Sequence, residues 1–156
     1  MMSDGASCRE VLASLTSAAE TVSGPRSTVS ILVLDRNGLL RNGASPNLPD
    51  DFLVAIDGLK PCAEVGTCAA AAATGEIVVT PDFRADGKWT ELRHLPLALG
   101  YLGAWSMPIK ATDGGIVLGT FGTYFRDVRE PTATEIAAVA SLATTAAIAI
   151  ECGELY

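Results

Sequence analysis

The sequence predicts an α+β fold: a central antiparallel sheet of five to six strands, with helices segregated around it. Three observations carry this. β-branched runs flank tight-turn strings at Asp35-Arg36-Asn37-Gly38 and Asp113-Gly114-Gly115, so successive strands fold back on each other. Both ends of the chain carry apolar residues at three- and four-residue steps, the period of a helix with one buried stripe. Between them, five alanines from Ala69 to Ala73 closed by Gly75 form a short helix with almost no side-chain bulk.

At 156 residues the chain is read as one domain, 1–156. Its hydrophobic share of 49% and charged share of 19% are those of an ordinary globular protein. The net charge of −7 comes from 18 acids against 11 scattered bases, which speaks against a nucleic-acid or anionic-membrane role. No apolar run approaches the roughly 18 residues of a membrane span, and the start lacks a leader pattern, so a cytoplasmic protein is expected. Cys8, Cys62, Cys68 and Cys152 fit no zinc or Cys-x-x-Cys spacing and are expected as reduced thiols. With a single histidine, His94, no metal set forms, and no cofactor is implied.

Taken in order, Ser7-Cys8-Arg9-Glu10 has the form of a capping box opening a helix from Ser7 to Val22 that ends by Gly24-Pro25. A strand follows from Thr28 to Asp35 and returns through Leu39-Leu40-Arg41, after which Asn42 onward is expected to leave the sheet. Asn47 to Ile56 reads as a short helix with Phe52, Leu53 and Ile56 inward. The alanine helix begins at Gly66-Thr67, where free amides and the positive helix end would attract an anion or a carbonyl oxygen. Ile77 to Thr80 is a strand, 82–88 a polar turn, and 89–99 a helix ended by Gly100. In the strand around Ala104-Trp105-Ser106-Met107-Pro108-Ile109, Trp105 and Ser106 must face opposite ways, and Pro108 marks an edge or bulge. The strand 116–125 follows, with Gly119 and Gly122 leaving space on opposite faces. Thr132 and Glu135 form a second capping box, opening a helix from Thr132 to Glu151. Both terminal helices carry matching heptad seams, suited to packing on the sheet or to pairing with another subunit.

Val65-Gly66-Thr67-Cys68, Trp105-Ser106-Met107-Pro108-Ile109 and Asp113-Gly114-Gly115-Ile116-Val117-Leu118-Gly119-Thr120, in this order, resemble a GAF domain. The resemblance covers nearly the whole chain. It is similar to sensory modules found with histidine kinases, PAS domains and diguanylate cyclases, and to stand-alone nitrate receptors. It implies terminal helices on one sheet face, often dimerising, and a small-ligand pocket on the other. The Asn-Lys-Phe-Asp-Glu signature of cyclic-nucleotide members is missing, and His94 in Arg-His-Leu-Pro lacks the bilin-binding pattern.

The candidate ligand-binding residues are Thr67, Cys68, Ala69, Trp89, Trp105 and Ser106. Thr67 either binds a ligand or caps its helix. Cys68, near a helix amino end, is a redox candidate or a small buried filler. Trp105 is expected to point its indole N–H into the pocket, with Trp89 a lid or a surface anchor. No catalytic constellation is present. The expectation is therefore a sensory domain that binds a small molecule, a small anion being one class. It would form a homodimer through its terminal helices and signal to a histidine kinase or cyclic-di-nucleotide enzyme. Two alternatives remain open, a methionine sulfoxide reductase-like enzyme using Cys68 and Cys62, and a purely structural dimerisation module.

Overall fold

The computed structural model describes residues 5–153. The elements in order are α1 (Gly5–Ser23), β1 (Ser27–Leu34), β2 (Leu40–Ala44), α2 (Asp50–Ile56), α3 (Cys68–Thr74), β3 (Val78–Thr80), α4 (His94–Ala98), β4 (Gly103–Lys110), β5 (Val117–Phe125) and α5 (Ala133–Gly153). The five strands form one antiparallel sheet in the order β2-β1-β5-β4-β3. Both tight turns close as the sequence indicates. The Gly38 amide donates to the Asp35 carbonyl at 3.0 Å, and Gly114, at φ +78°, donates to that of Ala111 at 2.7 Å. Pro108 lies where β4 has run past the three-residue β3, so its missing N–H breaks no ladder bond on that side.

One sheet face is covered by α1 and α5. Cys8, Leu12, Leu15 and Ala19 of α1, and Val139, Ala143, Ala146 and Ile150 of α5, bury against Val29, Ile31, Trp105, Ile109 and Phe121. Most of the heptad positions are thus spent inside the protomer, while Ala18 and Val22 stay exposed. Fully burying a leucine or isoleucine stabilises by about 2 kcal/mol, so covering an apolar sheet face outweighs leaving these positions for a partner. Contrary to the sequence expectation, α5 is long and apolar enough to cross a membrane by length and composition. Its alanines and threonines hide this from a search for bulky apolar runs, and its inner face packs on the sheet.

The capping box of α5 forms in both directions: the Glu135 amide donates to Thr132 Oγ1 at 3.1 Å, and the Thr132 amide to Glu135 Oε1 at 2.8 Å. Arg129 pairs with the same carboxylate and lies 4.0 Å over the Phe125 ring. The first box differs, because α1 already runs at Gly5 and Ser7 lies within it; the Ser7 side chain is outside the described residues. β2 continues through Ala44 instead of leaving the sheet at Asn42. The helix expected over 89–99 is divided into a 3-10 turn at Gly87–Trp89 and α4. Pro96 is the reason. It fits the first turn of α4, where its missing N–H costs nothing, but it would break a helix begun at Trp89.

Thr132→Ala is expected to lower stability by about 1 kcal/mol, read as a lower urea midpoint at unchanged slope, with Thr132→Ser retaining most of it.

Candidate functional site

On the other face of the sheet, the period of two brings Ser30, Gly122 and Ser106 into one cross-strand row, flanked by Thr28, Tyr124 and Ala104 and by Leu32, Thr120 and Pro108. The alanine helix α3 lies directly on this floor, with Ala69, Ala70 and Ala71 buried. A Cβ at Gly122 would sit 2.9 Å from Cys68 Sγ, so the glycine is what admits the helix. Gly75, in the left-handed region at φ +70°, ends α3 as its position predicts.

The polar groups of α3 and the floor meet here. Cys68 Sγ and Ser106 Oγ are 3.1 Å apart, and the Ser106 hydroxyl donates to Thr67 Oγ1 at 2.9 Å. Thr67 thus faces the floor and makes no side-chain cap bond. Thr120 Oγ1, which borders the thiol, is buried without a partner among the described residues. Burial pushes the Cys68 thiol up, and the neighbouring hydroxyls of Ser106, Thr120 and Thr67 offset this only in part. Burial, reinforced by Cys68 and Tyr101, likewise holds the Tyr124 phenol well above its ordinary value. Both groups therefore stay protonated and neutral.

Trp89 closes the side. Its indole lies against Gly66, whose φ is +60° and whose amide donates to the Lys88 carbonyl at 2.8 Å. That bond removes Gly66 from the set of free amides expected at the helix start. Trp89 Nε1 donates to Thr80 Oγ1 at 3.2 Å, and the Thr80 hydroxyl donates to Asp86 Oδ2 at 2.6 Å. Lys88 reaches the same carboxylate at 2.8 Å. Burial pushes the Asp86 carboxyl up, but the bonds from Lys88 and Thr80 outweigh it and hold the carboxyl below its ordinary value. Phe83 packs behind, its ring centre 4.4 Å from that of Trp89.

These walls enclose a cavity of about 10 Å³, room for about one water, lined by Leu32, Ile56, Leu59, Leu92 and Tyr124 with Gly66, Thr67, Cys68, Ala69 and Trp89. That lining contains no charged side chain among the described residues.

The structure brings together Thr67, Cys68, Ala69 and Trp89, with Ser106 beneath them. Trp105 is not part of the group. Since Ser106 faces α3, its neighbour must face the terminal helices, where the Trp105 indole is fully buried in their core. Its N–H has no partner among the described residues, and neither does the hydroxyl of Thr123 across the ladder. His94 is exposed, and Arg93 is spent on the carbonyls of Arg84 and Asp86. Tyr124, Thr120 and Leu32 were missed. The available signal was the spacing of two from Gly122, which puts Thr120 and Tyr124 on the same face.

An antiparallel sheet with a terminal-helix layer on one face and a small cavity under a short helix on the other makes this an α+β module. Residues 5–151 match the family model for the GAF domain, and the chain belongs to that family. The chain is 34% identical over 151 residues to the methyl sulfide methyltransferase-associated sensor of Methanosarcina acetivorans, covering 96% of this chain but 15% of that protein. A domain ascribed to a two-component sensor histidine kinase of Sinorhizobium meliloti 1021 superposes with a TM-score of 0.74 at 22% identity, over 91% of this chain and 89% of that one. The type II free methionine-R-sulfoxide reductase of Thermoplasma acidophilum has the same fold, with a TM-score of 0.75 at 16% identity over 94% of each chain.

Gly122→Ala is expected to destabilise the protein by about 1 to 3 kcal/mol through overpacking against Cys68. In the Cys68→Ala background most of that cost should vanish, which a double-mutant cycle in urea will read. A second expectation concerns pH. The Asp86 carboxyl is depressed on folding, so its contribution is complete above the unfolded pKa and is lost as pH falls through the lower folded value. Trp89 emission should hold constant from about pH 5 to 8 and shift red below about pH 4, a change missing in Trp89→Phe.

Proposed function

We propose that this GAF domain is a sensory module whose ligand is a small uncharged molecule, held between α3 and the sheet by Thr67, Cys68, Ala69, Ser106 and Trp89. The observation that supports it is the cavity beneath Trp89, with its apolar walls and the polar groups of Thr67, Cys68 and Tyr124 in its lining, Thr67 being held from below by Ser106. An ion would have to leave water for this lining without a charge to pair with, a cost of several kcal/mol, so the anion expected from the helix start is the weaker ligand class. Because the free space is small, a ligand enters by displacing the 82–93 segment that carries Trp89.

In this reading the message passes through the sheet. Gly122 and Ser106 face the ligand, while Phe121 and Trp105 on the same two strands carry α5. A shift of α3 is then felt by the α1–α5 layer, which pairs with a second copy and adjoins a kinase or cyclase output domain. The likenesses to a named sensor and to a histidine kinase domain support that role; the chain spans 15% of the former's length.

The small free volume favours a second reading, a structural dimerisation module with no ligand. The reductase reading, resting on Cys68 and Cys62, is disfavoured by a Cys68 thiol that burial holds protonated, since the thiolate is the reactive form.

A thermal-shift panel of neutral aromatic and aliphatic molecules, amino acids, nitrate and other anions separates these readings. A neutral ligand at about 100 times its Kd adds roughly 2.7 kcal/mol, a shift of several degrees. Ser106→Ala should weaken it about five- to tenfold, the loss of one hydrogen bond. A shift confined to anions would overturn the proposed ligand class, and no shift at all would leave the structural module.

A further inference from the structure

We propose that Cys8 and Cys152 form a thiol–disulfide pair that ties the start of α1 to the end of α5. Although 144 positions separate them, their helices lie side by side. Cys8 Sγ donates to the Ala149 carbonyl at 3.2 Å, across the α1–α5 contact. That carbonyl belongs to the residue three before Cys152. In a helix, a short side chain reaches back to the carbonyl three or four residues earlier, as Thr16 does to Ala13 at 2.6 Å and Thr144 to Ala140 at 3.2 Å in this protein. Cys152 turned the same way brings its sulfur to the oxygen that Cys8 already holds. Two sulfurs from separate helices then meet at one carbonyl.

Access differs between the two thiols. Cys152 is exposed, whereas Cys8 is completely buried. Burial raises the Cys8 thiol above its ordinary value; Arg9 works against this, and Cys152 adds to it, an interaction that itself requires the two groups to be near. Cys152 is therefore the thiol that meets an oxidant, and Cys8 is the resolving thiol.

The oxidant class is a low-molecular-weight disulfide. The Cys152 thiolate attacks one of its sulfurs, forming a mixed disulfide and releasing one thiolate. The Cys8 sulfur, giving up its proton, then displaces the second thiolate. The Cys8–Cys152 bond forms, the two cysteines lose two electrons and two protons, and the oxidant becomes two thiols. The closed loop contains nearly the whole domain, so the bond restricts the unfolded chain and fixes the ends of the two helices that would carry a signal. Cys68, buried under α3, and Cys62, in the loop before α3, lie away from this pair.

The test treats the folded protein with oxidised glutathione, blocks remaining thiols with N-ethylmaleimide in denaturant, and reads intact mass and linked tryptic peptides. Expected is a monomer lacking two hydrogens, with two thiols blocked instead of four and a peptide joining Cys8 to Cys152. Its melting temperature should rise by several degrees and fall back with dithiothreitol. Cys152→Ser should show neither change, and Cys8→Ser, if folded, should stop at glutathione on Cys152. The proposal is overturned if the wild-type protein keeps glutathione on Cys152 while Cys8 remains free. It is equally overturned if Cys152 links two copies on a non-reducing gel, or if all four thiols stay blockable.

Discussion

The close seating of α3 on the sheet is the constraint from which the site follows. An alanine helix brings its backbone near the strands, and the one larger atom at the contact, Cys68 Sγ, is received by the missing side chain at Gly122. Were either side bulkier, Thr67, Ser106 and Thr120 would not meet, and the space beneath Trp89 would open to solvent. The same closeness makes the site neutral, since thiol and phenol are both desolvated into their protonated forms.

Around this contact the two faces of the sheet divide the work. β4 and β5 lie near its middle, with alternate residues belonging to different layers: Ser106, Gly122 and Tyr124 to the cavity side, Trp105 and Phe121 to the terminal helices. A two-residue repeat thereby couples two cores that share no side chain. Trp89 is fastened at one side of the cavity layer, through the Thr80–Asp86 chain and an edge-on contact with Phe83.

The terminal helices show how one pattern can be read in two ways. Heptad spacing in α1 and α5 reads equally as a dimer seam or as a sheet-covering layer. Inside the protomer the layer takes most of the seam, and what faces outward on α5 is mostly small, Ala137, Ala140, Ser141, Thr144 and Thr145, with the large apolar Ile148 among them.

The sequence by itself determined most of the elements though not all their bounds, the antiparallel order of the hairpins, the caps at Thr132 and Gly75, and the family. All of these depend on residues near each other in the chain, where turn chemistry and periodicity act directly. It also named Thr67, Cys68, Ala69, Trp89 and Ser106, which lie together around α3, since an alanine helix and a strand with a serine are local signals. Tertiary structure alone decided which way the Trp105–Ser106 strand turns, because alternation fixes that the two residues oppose each other but not which layer each joins. That choice follows from space, because both faces of the strand are buried but α3 sits too close on one of them for an indole, which goes under α1 and α5 instead. Beyond the shared face that their spacing from Gly122 gives, the surroundings of Thr120 and Tyr124, and the Thr80–Asp86 link, likewise became legible only in three dimensions. Their roles come from cross-strand register and from a loop folded over the sheet, and neither is written within any single segment.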